Sequence, residues 1–191
     1  MNTLRHPSVW PLLLATFAFY LMANGFHATI SIFTTKFFEY TPAENSYLFA
    51  LVGILTIATQ SVLAKGLKTK PFYMLVFGVM IFSVGLFTLG VVKTSLMLVL
   101  VIMFKTIGHG IVATYMPSIL SNVRQMDADG ELLGMFESIV SLARILGPII
   151  YGFLYSFNGS IAFFIMSVVG LSSIPLILFG KKLISKRPRF V

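Results

Sequence analysis

Long apolar runs separated by short polar stretches organise this chain. A helix needs about 20 mostly apolar residues to cross the hydrocarbon of a bilayer. Six segments meet that length: about Val9–Phe33, Ser46–Ala64, Pro71–Val91, Leu96–Pro117, Leu132–Ser156 and Ile161–Gly180. The pattern predicts an all-α integral membrane protein with six transmembrane helices in a single domain. The first apolar run is too long for the core of a signal peptide and shows no small-x-small cleavage site, so it is expected to be retained as a span.

Inside the spans the polar residues fall on single faces. Span 1 carries Tyr20, Asn24, His27 and Ser31, at steps of four, three and four. That spacing places them on one side of a helix. Span 2 carries Gly53, Thr56 and Gln60 on one face. Span 4 carries Lys105 and His109 one turn apart, and span 5 carries Glu137, Ser141 and Arg144 over two turns. Spans 3 and 6 have no charged residue, histidine, asparagine or glutamine. The order is polar, polar, plain, repeated once. It predicts two three-helix units, about 9–91 and 96–180, each with two cavity-facing helices and one supporting helix. Internal repeats meeting at a polar interface are a feature of transporter folds. Residues 181–191 form a basic tail.

Composition sharpens the picture. The 191 residues are 57% hydrophobic and 10% charged, with no cysteine; soluble domains carry about 25% charged residues. A soluble enzyme, a disulfide scaffold, a disordered tail and a zinc or iron–sulfur protein are excluded. The formal net charge of +8 suggests nucleic acid. The basic residues, however, sit in short runs between apolar stretches, so no nucleic-acid partner is expected. Their distribution gives topology instead. Arg5, Lys65, Lys68, Lys70, Arg124, Lys181, Lys182, Lys186, Arg187 and Arg189 lie on one side, against Lys36 and Lys93 on the other. Positive residues collect in cytoplasmic loops, so both termini are expected in the cytoplasm and the chain in the cell membrane.

Lys105, Arg144 and Glu137 remain inside the spans. Charges at that depth are costly and usually face a partner or a water-filled cavity. At 1.5 Å rise per residue, Lys105 and Arg144 each lie about 18 Å from the inner ends of their helices, with His109 at about 12 Å and Glu137 at about 8 Å. One expectation is a cavity site for substrate or coupling ion formed by Lys105, His109, Glu137, Arg144, Asn24 and Gln60. The alternative is an internal Glu137–Arg144 bridge, with Lys105 paired locally. His27 reads as structural. Gly130, Gly134 and Ser138 recur every four residues, a spacing that lets helix backbones approach closely. Gly147-Pro148 is expected to kink or loosen span 5, because proline removes a backbone donor. Gly108 and Gly110 are expected to serve close packing. Asn158-Gly159-Ser160 matches a glycosylation acceptor in a loop too short and too near the membrane to serve as one.

Enzyme motifs are lacking. No histidine follows His109 to complete an intramembrane serine protease, and HExxH, TVGYG and a phosphate-binding glycine loop are absent from the sequence. No enzyme activity, cofactor or metal is expected.

The stretches Gly110–Pro117, Gly130-Glu131-Leu132-Leu133-Gly134, Ser138, Leu146-Gly147-Pro148 and Gly152-Phe153-Leu154-Tyr155 resemble helices ten and eleven of the major facilitator superfamily. They are most similar to its drug–proton antiporter branch, the tetracycline and multidrug exporters. Gly53-Ile54-Leu55 with Gln60, and the basic loop Lys65–Lys70, resemble helix eight and the loop after it. That loop lacks the acidic residue and paired arginines of the family's best-known motif. The resemblance covers nearly the whole chain, but only the C-terminal six of the family's usual twelve helices. It implies alternating-access movement of a small molecule, with export driven by proton exchange. It also implies a second six-helix half, supplied by a separate chain or a second copy, unless the chain is a truncated remnant. The alternative function is a non-transporting membrane scaffold or assembly partner derived from a transporter.

Overall fold

The computed structural model describes residues 9–65, 70–122 and 129–185. They form six helices: α1 (Val9–Phe38), α2 (Pro42–Ala64), α3 (Pro71–Leu89), α4 (Ser95–Asn122), α5 (Asp129–Phe157) and α6 (Gly159–Ser185). Each is long and apolar enough to span a bilayer. Arg5, Lys68, Arg124, Asp127 and the basic tail from Lys186 lie outside the described residues.

The helix ends have local causes. α2 starts at Pro42, four residues before the expected boundary, because Thr41 and Glu44 form a capping box. The Thr41 hydroxyl accepts from the Glu44 amide at 3.3 Å, and the Glu44 carboxylate accepts from the Thr41 amide at 2.7 Å. α3 starts with Pro71 in its first turn, where a missing amide hydrogen costs nothing. Asn158 accepts from the Ile161 amide at 3.2 Å and so caps α6. α4 does not end at Pro117 as expected; it runs through that proline to Asn122.

The helices pack in a fixed order. α2 lies on α4, α4 on α3, α3 on α6, α6 on α1, and α1 on α5. Exchanging α1 with α4, α2 with α5 and α3 with α6 returns the same sequence of neighbours. The two central helices also share a local pattern that sequence reading passed over: Gly25-Phe26-His27-Ala28-Thr29 on α1 and Gly110-Ile111-Val112-Ala113-Thr114 on α4. The Thr29 hydroxyl donates to the Gly25 carbonyl at 3.0 Å, and that of Thr114 to the Gly110 carbonyl at 2.8 Å.

Two crossings are backbone on backbone. A Cβ on Gly147 of α5 would stand 2.6 Å from the Leu21 carbonyl oxygen and 3.0 Å from the Gly25 amide of α1. A Cβ on Gly108 of α4 would stand 2.6 Å from the Phe82 amide and 2.7 Å from the Gly78 carbonyl of α3. α1 supplies much of the core through Leu12, Phe19, Met22, Phe26 and Ile30. α2 and α5 flank the bundle, and most of their surface is uncovered.

Candidate functional site

Lys105 is the one described lysine or arginine that is buried, at 1% exposure. α4 carries it toward α1 and α3, and its Nζ sits 3.3 Å from the ring centroid of Phe26 and 4.7 Å from that of Phe82. A cation over an aromatic face is attracted by the ring quadrupole. The approach depends on Gly85 of α3, because a Cβ there would run into the Lys105 side chain. Among the described residues no carboxylate meets Lys105.

His109 lies one turn further along α4 and is half-buried. Its ring stacks on Phe19 at 6.1 Å and lies 5.9 Å from Phe82. His27 of α1, also half-buried, meets His109 edge-on at 6.1 Å and packs 5.4 Å from Phe26. His27 therefore belongs with the Lys105–His109 pair, although it read as structural in the sequence. Its place on the polar face of span 1, with Tyr20, Asn24 and Ser31, held the clue.

The remaining candidates sit elsewhere. Glu137 and Arg144 are exposed on α5, with Ser138 and Ser141 beside them. The ring of Tyr20 of α1 meets Phe136 of α5 edge-on at 6.0 Å. The structure thus divides the expected cationic pair: Lys105 is enclosed by rings of α1 and α3, while Arg144 is exposed on α5. The internal Glu137–Arg144 bridge is also absent among the described residues. The two residues are two turns apart on a face that no helix of the described chain covers.

Asn24 is half-buried and donates to the Tyr20 carbonyl at 2.7 Å. Its Cβ lies by Gly147, at the α1–α5 crossing. Gln60 is half-buried on α2. Gly130 and Gly134 do not form the expected packing seam within this chain, since a Cβ on either would meet nothing within 4 Å. They share the uncovered side of α5 with Glu137. Gly147 does pack closely, and Pro148 is half-buried inside an unbroken helix.

No protein-family model and no curated protein matches the sequence. Among solved structures, the fold is similar to that of the human organic anion transporter MFSD10 (TETRAN), with a TM-score of 0.84 and 19% sequence identity. The match covers 89% of this chain and 40% of that transporter, so the chain spans well under half of its length. The chain is a multi-pass membrane protein whose six-helix fold is similar to one part of that transporter.

Proposed function

We propose that this chain is one six-helix half of a transporter that moves a small molecule by alternating access. Its two three-helix units, about 9–91 and 96–180, present α2 and α5 to an opposing six-helix half. The observation that carries this reading is the uncovered polar strip on α5. Glu137, Ser138, Ser141 and Arg144 all lie exposed on a helix apolar enough to span the bilayer. A charge facing lipid at the helix centre costs about 2.5–3.5 kcal/mol on insertion scales. An opposing half would turn the strip into a cavity wall, with Asn24 and Gln60 at its borders.

The charge balance suits an anionic substrate. Lys105 and Arg144 outnumber Glu137 within the spans, and MFSD10 is titled an organic anion transporter. The resemblance to drug–proton antiporters favours export driven by proton exchange. The ten-to-two division of loop cations favours cytoplasmic termini in the cell membrane.

The test is transport in proteoliposomes, with the purified chain alone and with a candidate opposing half. The probe is a fluorescent organic anion such as carboxyfluorescein, alongside a cationic dye such as ethidium. The reading requires movement of a probe only when both halves are present. Movement by a proven monomer, or none by any combination, overturns it.

A further inference from the structure

Lys70 and Lys181 converge on one tyrosine. Lys70 stands before Pro71, and a residue before proline is driven to extended backbone; its φ of −69° and ψ of 111° make it the N-cap of α3. Its carbonyl accepts from the amides of Tyr73 at 3.1 Å and Met74 at 3.3 Å, which fixes Tyr73 in the first turn of the helix. α6 reaches the same place near its C-terminal end. There Gly180 closes on α1, where a Cβ would stand 2.9 Å from the Leu12 side chain, and Lys181 follows it. The Nζ of Lys181 lies 3.8 Å from the centroid of the Tyr73 ring, and that of Lys70 lies 5.9 Å from it. Measured through that centroid, the two ammonium groups are less than 10 Å apart.

Like charges placed so close repel each other, and no carboxylate among the described residues pairs with either lysine. Glu39 and Glu44 stand at the turn between α1 and α2, at the other end of the bundle, and Glu137 stands on α5. Tyr73 itself is exposed. Its face of α3 continues away from the lysines through Phe77, Met80, Val84 and Phe87, all of them exposed. Steps of four, three, four and three keep these residues on one side of a helix. The strip runs about 21 Å at 1.5 Å per residue, and every side chain on it beyond Tyr73 is apolar. α3 packs on α4 and α6, and neither covers this face.

We propose that Lys70, Tyr73 and Lys181 bind the headgroup phosphate of an anionic phospholipid, one of whose acyl chains lies along Phe77, Met80, Val84 and Phe87. A phosphate between the two ammonium groups offsets their repulsion and accepts hydrogen bonds from both. The Tyr73 hydroxyl is a further donor, and tyrosine is a residue of the membrane–water boundary. Headgroup contacts alone would serve a free phosphate equally well. The apolar strip that leads from them down the helix fits only a ligand with a hydrocarbon chain, and this commits the site to a lipid. The site lies on α3 and α6, away from the polar strip of α5, and needs no opposing half.

The experiment uses the full chain in lipid nanodiscs. Trp10 is the single tryptophan, so Trp10→Phe with Phe77→Trp leaves one indole, one turn along the strip from Tyr73. Phosphatidylglycerol and phosphatidylcholine with brominated acyl chains are compared as quenchers of its fluorescence, which gives their relative affinities at that place. The anionic lipid is expected to bind about fivefold or more tightly. Lys70→Gln with Lys181→Gln is expected to bring the two lipids to parity. Lys65→Gln with Lys182→Gln removes the same charge from two exposed lysines and is expected to keep the preference. Parity before any lysine is replaced overturns the proposal, as does a preference that survives the loss of Lys70 and Lys181. An equal loss in both double variants also overturns it, because it marks a general attraction to the charged surface. Glycerol phosphate, which has no acyl chain, is expected not to displace the lipid at equal concentration, and displacement overturns the lipid assignment. If the indole variant does not fold, the native chain and the same lysine variants are compared by native mass spectrometry of the retained lipid, and the same outcomes decide.

Discussion

Gly147 of α5 lies directly against the backbone of α1, so that a Cβ at that position would stand 2.6 Å from the Leu21 carbonyl oxygen. Backbone cannot yield as a flexible side chain does. Gly147→Ala is therefore expected to force α1 and α5 apart and destabilise the bundle by about 1–3 kcal/mol. Gly134→Ala, on the open side of the same helix, is expected to be neutral or to stabilise by up to about 1 kcal/mol through helix propensity. Unfolding of the two variants in mixed micelles of increasing SDS content compares them. Equal midpoints would contradict the crossing.

Lys105 and its two rings make a second pair of opposite expectations. Phe26→Ala opens a hole in the core and removes the nearest ring face, a loss of about 3–5 kcal/mol for a buried phenylalanine. Lys105→Met keeps the volume and removes a buried charge without a carboxylate partner, a change often neutral or stabilising by about 1–4 kcal/mol. The same micelle titration ranks them. A Lys105→Met variant as unstable as Phe26→Ala would show that the ammonium is a structural anchor.

The six helices were legible in the sequence because lipid imposes one rule on every span. Their ends were less so. Hydropathy marks where the hydrocarbon stops, and α1 continues past Phe33 through polar Thr34, Thr35 and Lys36 to Phe38. The true start of α2 was written in Thr41 and Glu44, a capping signal that a hydropathy window passes over. The polar faces were found, but periodicity gives a direction without saying what lies there. Lys105 and Arg144 sit at equal expected depths, yet one is enclosed and the other exposed. Telling these apart needs the neighbours of α4 and α5, which are set by long-range packing.

Asn45 ties the end of α1 to the start of α2. Its carbonyl oxygen accepts from the Thr34 hydroxyl at 2.5 Å, and its amide donates to the Thr35 hydroxyl at 3.2 Å and the Thr41 carbonyl at 3.3 Å. The residue is 6% exposed. Asn45→Leu leaves these groups without their shared partner and is expected to cost about 1–3 kcal/mol. Hydrogen exchange of the amides in residues 34–46 is expected to accelerate. Unchanged protection there would mean the turn is held by other means.

The orientation is testable because the chain has no native cysteine. Ala64 and Ser95 are both exposed, at the ends of helices on opposite sides of the bundle. With cytoplasmic termini, a membrane-impermeant maleimide is expected to label Ser95→Cys in intact cells and Ala64→Cys only after permeabilisation. The reverse result would invert the loop assignments and the positive-inside reading with them.

Glu137 and Arg144 separate a structural role from one at an interface with an opposing half. Each is exposed, and each touches no charged partner among the described residues. Glu137→Gln and Arg144→Gln are therefore expected to leave the stability of the six-helix bundle within about 0.5 kcal/mol of the parent. If an opposing half covers the strip, the same variants lose a desolvated charged contact, and association is expected to weaken by about tenfold, or about 1.4 kcal/mol. Association is read by energy transfer between labelled halves in nanodiscs, and stability by SDS titration of the chain alone. A loss of stability without a change in association would place the two charges inside the bundle after all. A loss of association at unchanged stability would make the α5 strip the wall that the opposing half completes. The pair also ranks the two groups: Arg144 lies on α5 one turn before the Gly147 crossing, and Glu137 lies two turns closer to the N-terminal end of the helix. The variant with the larger loss therefore shows at which depth the halves meet most tightly.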